Sequence, residues 1–136
     1  MSAGSQIVRG LVSELIKGGL AVAGAGVSHN VWRVTGALAS RHVNCLLYVK
    51  GRAEAPYRWG VTANVVARLQ GQTLPWNTVL LYEKRDTGYF LTSGDVLHCI
   101  RSVWPLGADG DYKPATGSYL SRASHFSSFS ALLALL

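Results

Sequence analysis

Asn44-Cys45-Leu46-Leu47-Tyr48-Val49-Lys50 is the stretch on which the fold turns. Its apolar residues run without interruption from Cys45 to Val49, with no Gly or Pro, over the length of a strand rather than a helix. A half-exposed strand alternates apolar with polar side chains, so an unbroken run predicts a strand buried on both faces. Such a strand needs covering layers above and below. The expected class is therefore α/β or α+β, a small single domain with a mixed sheet flanked by helices.

Upstream, Ile7, Val8, Leu11, Val12 and Leu15 recur at three- and four-residue steps, predicting an amphipathic helix over residues 5–17 that stops at Gly18 and Gly19. Short strands are expected over residues 20–23 and 31–35, the second placing Trp32 and Val34 on one face. Downstream, residues 51–60 carry Gly51, Pro56 and Gly60 and read as a loop. Thr62 is placed to cap a helix through Gln70 with Val65, Val66 and Leu69 inward. A strand over residues 78–84, a turn at Asp86-Thr87-Gly88 and an antiparallel return over residues 89–92 follow. Ser93 is the expected cap of a short helix with Val96, Leu97 and Ile100 inward, and the chain from Trp104 on reads mostly as loop. Residues 126–136 form an apolar tail far short of the roughly 20 residues that cross a bilayer. It is expected to pack on the core or on a partner subunit, within one domain spanning residues 1–136.

At 136 residues and 49% hydrophobic content one core is expected, and 15% charged residues is well under the usual share, which points to a homo-oligomer. The net charge of +6 is uneven: the first 82 residues hold 8 Lys/Arg against 2 Asp/Glu, whereas the rest is balanced. A basic excess of this kind favours phosphate-bearing partners. Cys45 and Cys99 lie in apolar segments without CxxC spacing, so neither a zinc site nor a disulfide framework is expected and the residues read as reduced core thiols. The first residues lack the plan of a signal peptide, and a cytoplasmic protein with no membrane contact is expected. His29, His42, His98 and His125 are scattered without metal-site spacing. No GxGxxG, phosphate-loop or GxSxG pattern occurs, so no cofactor and no metal ligand are expected.

A helix bearing Glu14, a set of strands ending in Val49-Lys50, and a helix starting near Thr62 together resemble the core of the PD-(D/E)XK nuclease-like superfamily, over about residues 5–83. That resemblance implies a restriction-endonuclease-like core of helix, three-stranded meander, helix and strand. It matches Lys50 to the family's motif lysine and Glu14 to its helical glutamate, which makes these two the catalytic candidates. Tyr48 stands where the motif has an acid, and no acidic residue lies between Gly19 and Asn44. Magnesium takes oxygen ligands, carboxylates first among them, and metal-assisted phosphodiester cleavage needs it to activate water. The resemblance therefore implies a nuclease-like domain that binds nucleic acid without cutting, or one that uses Mg²⁺ with a rearranged set of acids. The plain alternative is a valine-rich core strand that ends in an exposed lysine.

Lys50, Arg52, Tyr57, Arg58 and Trp59 place three cations and two aromatics within ten residues. Cations supply phosphate contacts and aromatic rings stack on unpaired bases, so these five are the candidate nucleic-acid-binding residues. Alternatively, Tyr57 and Trp59 anchor the loop to the core. Asp109-Gly110-Asp111 suits either cation ligation or, more commonly, a turn. Two other functions compete: a small oligomeric interaction module without nucleic acid, and an enzyme taking a small anion in a pocket joining Arg52 and Arg58 to residues 109–113.

Overall fold

Ser2 opens the first helix, α1 (Ala3–Lys17), by accepting the Ser5 amide on its hydroxyl, and Val8, Leu11 and Leu15 form the buried stripe. The helix ends at Gly18, and Gly19 takes the left-handed φ of 95° that turns the chain into the sheet. This computed structural model describes residues 2–39 and 41–136.

Three strands then form an antiparallel meander, β1 (Ala21–Gly24), β2 (Val31–Leu38) and β3 (Arg41–Arg52). The predicted seven-residue strand is thus the centre of a twelve-residue one, longer at both ends because each end has a ladder partner. Arg41 pairs with Leu38 of β2 at one end, and Arg52 registers with Tyr82 of β5 (Trp76–Tyr82) at the other. Residues Cys45 to Val49 are all buried, as a strand covered on both faces must be.

The short β4 (Val61–Thr62) leads into α2 (Ala63–Gln70), and β5 returns parallel to β3, so α2 is the crossover. β6 (Gly88–Thr92) pairs antiparallel with β5 and leads into α3 (Ser93–Ser102). The cap of α3 is Thr92 rather than Ser93. Thr92 accepts the Asp95 amide while Asp95 accepts the Thr92 amide, a reciprocal box that needs the acid three residues beyond the cap. β5 ends two residues earlier than expected because Glu83 adopts φ 61° and leaves the ladder.

The region after Trp104 holds more structure than its sequence suggests. β7 (Asp111–Tyr112) pairs with β4, β8 (Ser124–Phe126) adds to β6, and α4 (Phe129–Leu135) follows. The main sheet is mixed, with order β1-β2-β3-β5-β6-β8. Alternation along β3 sends Val43, Cys45, Leu47 and Val49 to the face packed by α1 and α4, and Leu46 and Tyr48 to the face packed by α2 and α3. Leu132 of α4 is fully buried on the first of these faces, so the apolar tail packs on this chain's own core. No helix among the described residues is long and apolar enough to cross a membrane.

Candidate functional site

Alternation continues past Tyr48, so β3 delivers Lys50 and Arg52 to the α2 and α3 side of the sheet, at its own C-terminal end. Lys50 is half-buried. Burial pulls its ammonium below the ordinary lysine value, and the nearby Asp111 carboxylate opposes that shift. Arg52 is exposed, and its Nε donates to the Glu54 carbonyl at 3.2 Å, which holds the start of the following loop.

Aromatic contacts fix the rest of that loop. Trp59 is 4% exposed, donates from Nε1 to the Leu81 carbonyl at 2.9 Å, and stands edge-on to Tyr89. Its amide donates to the Pro114 carbonyl at 2.9 Å. Trp59 as a base-stacking residue is therefore corrected: the indole is a buried anchor with no free face, because an apolar ring beside the sheet gains more from packing than from water. Tyr57 is half-buried, lies 4.9 Å from Tyr82 between ring centroids, and donates its hydroxyl to the Glu83 carboxylate. That contact pushes the Tyr57 hydroxyl up to about 12, since ionisation would set two anions side by side.

Anchored in this way, the loop forms one wall of a cavity of about 390 Å³ lined by Arg52, Arg58, Trp59, Gly60 and Lys113. β7 approaches closely at Gly60: a Cβ there would lie 2.6 Å from Asp111 Oδ2, so the carboxylate would have to move aside. Lys113 pairs with Asp109, whose carboxyl is held below the usual range by that ammonium and by the Asp111 amide at 3.1 Å. With Gly110 at φ 85°, the Asp109-Gly110-Asp111 segment is a side-chain-stabilised turn. Among the described residues Arg52 and Arg58 make no ion pair, although the Asp111 carboxylate lies beside Gly60 in the cavity wall. The cavity joins the two segments, around residues 52–60 and at Lys113, that a small-anion pocket also requires.

Glu14 and Lys50, the catalytic pair expected from the resemblance, are not brought together. Glu14 lies on α1, on the opposite side of the sheet, where it pairs with Arg85 at 3.3 Å and Lys17 at 3.9 Å. The α1 residue that backs the end of β3 is Gly4, about 15 Å along the helix axis from Glu14 at 1.5 Å per residue. Tyr48 at the motif-acid position is 1% exposed, and its phenol oxygen accepts the Thr62 amide at 3.1 Å. Burial pushes the Tyr48 hydroxyl up, so it stays neutral and ties β3 to the start of α2. Thr62 occupies the cap of α2, but its side chain makes no cap bond. Among the described residues no group of three His, Cys, Asp or Glu is placed to hold a metal ion, and the motif position offers a phenol already engaged. The donor set does not fit the Mg²⁺ that the resemblance implies.

Further side chains join the site that sequence reasoning did not select for it. Across β5, β6 and β8, Tyr82, Tyr89 and His125 share one face with Arg52. Tyr82 and Tyr89 lie 5.8 Å apart between centroids, Tyr89 and His125 5.0 Å, and the Tyr82 hydroxyl shares a 2.7 Å hydrogen bond with His125 Nε2. Tyr82 and Tyr89 sit in predicted strands, where alternation marks a face, but no local pattern brings His125 beside them. The chain matches no family model, and no curated protein or solved structure is significantly similar to it.

Proposed function

We propose that this chain is a nuclease-like domain that binds nucleic acid through its phosphates without the metal-dependent cleavage of the family it resembles. The observation that carries this reading is the cavity at the C-terminal end of β3, where Arg52 and Arg58, which form no ion pair among the described residues, stand beside Lys113. Crevices outside the carboxyl ends of parallel strands are the usual ligand sites of α/β sheets, and β3 and β5 form the parallel pair here. Guanidinium groups on a rigid strand end and an anchored loop suit bidentate phosphate contacts. The order helix, antiparallel meander, crossover helix and parallel strand supports the nuclease-like part. The phenol at the motif-acid position and the separation of Glu14 from Lys50 support the non-cleaving part.

Binding of labelled DNA and RNA to the purified protein, measured by anisotropy over a salt series with Mg²⁺ present, tests the reading. Affinity should fall steeply with salt, because each phosphate contact releases condensed counterion. Arg52→Ala combined with Arg58→Ala should lower the slope of log K against log salt by about 1.4 to 1.8, at roughly 0.7–0.9 per lost contact. The strands should be intact on a denaturing gel afterwards. Absence of binding at low salt discards the proposal.

A second reading, a homo-oligomeric interaction module, is favoured by a different surface. Ile16 is 53% exposed and borders a cavity of about 580 Å³ between α1 and β2 that also includes Val12 and Trp32. A self-association driven by that apolar surface should persist as salt rises, in contrast to phosphate binding.

A further inference from the structure

We infer that the nucleic acid this site takes is single-stranded, its bases lying on an aromatic platform that starts beside Arg52 and crosses the sheet to its β8 edge. The inference rests on the phosphate-binding reading above and names the class of ligand for it. Arg52 of β3 registers with Tyr82 of β5, so their backbones stand one strand spacing apart, about 4.8 Å, with both side chains leaving from the same face. One strand further, Leu80 registers with Tyr89, and Tyr89 registers with His125 of the edge strand β8. Tyr57 closes the near end of the row by packing on Tyr82.

The rings touch one another in sequence, with centroids 4.9 to 5.9 Å apart from Tyr57 through Tyr82 to His125. Tyr57, Tyr82 and Tyr89 are half-buried and His125 is exposed, whereas Trp59 behind them is sealed into the core and braces the platform from below. Mutual contacts, together with the Tyr82 to His125 hydrogen bond, restrict the rings before any ligand arrives, which lowers the ordering cost of binding. The partner is set by the neighbours of the row. An apolar protein segment has no use for the unpaired Arg52 and Arg58 at one end, and a duplex keeps its base faces stacked inside, out of reach of a ring. A single strand presents both an anionic backbone for the guanidinium groups and free base faces for the aromatics.

The test compares labelled oligothymidylate with a labelled hairpin duplex at low salt, for the wild type and for His125→Ala, Tyr82→Leu, Tyr82→Phe and the Arg52→Ala/Arg58→Ala double variant. The wild type should prefer the single strand by at least about tenfold, the scale of one stacked base. His125→Ala and Tyr82→Leu should reduce that preference by about fivefold or more, while Tyr82→Phe retains the preference. His125 is exposed, so its variant reports on the platform even if Tyr82→Leu disturbs folding, and thermal melting of each variant separates the two effects. Equal binding of both probes, with the aromatic variants indistinguishable from wild type, overturns the platform and leaves the phosphate site standing. No binding of either probe removes the phosphate site and the platform with it.

Discussion

Tyr48 and Trp59 illustrate how one side chain decides what a motif can do. Each lies in the segment that points to chemistry in the sequence, and each is buried with its polar atom engaged, on the Thr62 amide and the Leu81 carbonyl respectively. Burial with a satisfied hydrogen bond stabilises; it also removes the group from reaction or ligand contact. Tyr57 shows the same coupling at the surface. Its hydroxyl is raised above the ordinary tyrosine value of 10, so the contact with Glu83 contributes fully below pH 10 and is lost as pH rises from there to about 12. In an ultraviolet titration of native protein, Glu83→Gln should let one tyrosine ionise closer to pH 10; identical titration curves would show that the carboxylate does not hold the phenol. The cations of the site were legible as residue types at Lys50, Arg52 and Arg58. Their freedom from ion pairs was not, because pairing depends on where the Asp and Glu residues of other elements end.

The union of α1 with β3 depends on two glycines that face each other across the join. A Cβ on Gly4 would stand 2.5 Å from the Gly51 carbonyl oxygen, and one on Gly51 would stand 2.5 Å from that of Gly4. Backbone meets backbone there, so neither atom has a flexible side chain to move aside. Gly51→Ala should therefore cost about 1–3 kcal/mol of stability in denaturant unfolding, the range for overpacking a well-packed contact. Gly71→Ala, whose Cβ would make only a 3.5 Å contact with the Arg68 carbonyl, should stay within about 0.5 kcal/mol. Equal effects would mean that the helix rides freely on the strand. This join sets the angle at which β3 presents Arg52, one residue beyond Gly51, so the same substitution should also weaken phosphate binding at the proposed site. Elements with strong periodicity, α1, α2 and the centre of β3, were legible in the sequence because their buried stripes repeat locally. β4, β7 and β8 were not, since two- and three-residue strands exist only through partners far away in the chain.

For the whole molecule, the sheet is the shared wall of two hydrophobic clusters, and β3 and β5 contribute to both. Trp59, Trp76 and Trp104 all lie in the cluster under α2 and α3, whereas Leu132 of α4 lies in the one under α1. Unfolding should accordingly be a single transition. Leu132→Ala should cost about 2–5 kcal/mol and move the transition seen by tryptophan fluorescence together with that seen by far-ultraviolet circular dichroism. If the fluorescence and dichroism midpoints separate, the α4 face, against whose cluster Trp32 also packs, unfolds by itself. The basic excess is also a whole-molecule property. Arg9, Lys17, Arg33, Arg41 and Arg68 are exposed and spread over α1, β2, β3 and α2, whereas Lys50, Arg52 and Arg58 gather at one end of the sheet, with Lys113 beside the two arginines.

By itself the sequence determined the layered α and β class, the buried central strand, the amphipathic helices and the cation-bearing segment after that strand. All of these follow from local periodicity and turn chemistry, which act over a few residues. The tertiary structure alone decided that Lys50 and Glu14 lie on opposite sides of the sheet, that Trp59 faces inward, that Lys113 lines a cavity with Arg52, and that Tyr82, Tyr89 and His125 form a row across the sheet. Strand register and the parity of each residue along its strand set those outcomes. A shift of one position would send every side chain of a strand to the other face, and only the pairing of distant segments fixes that choice.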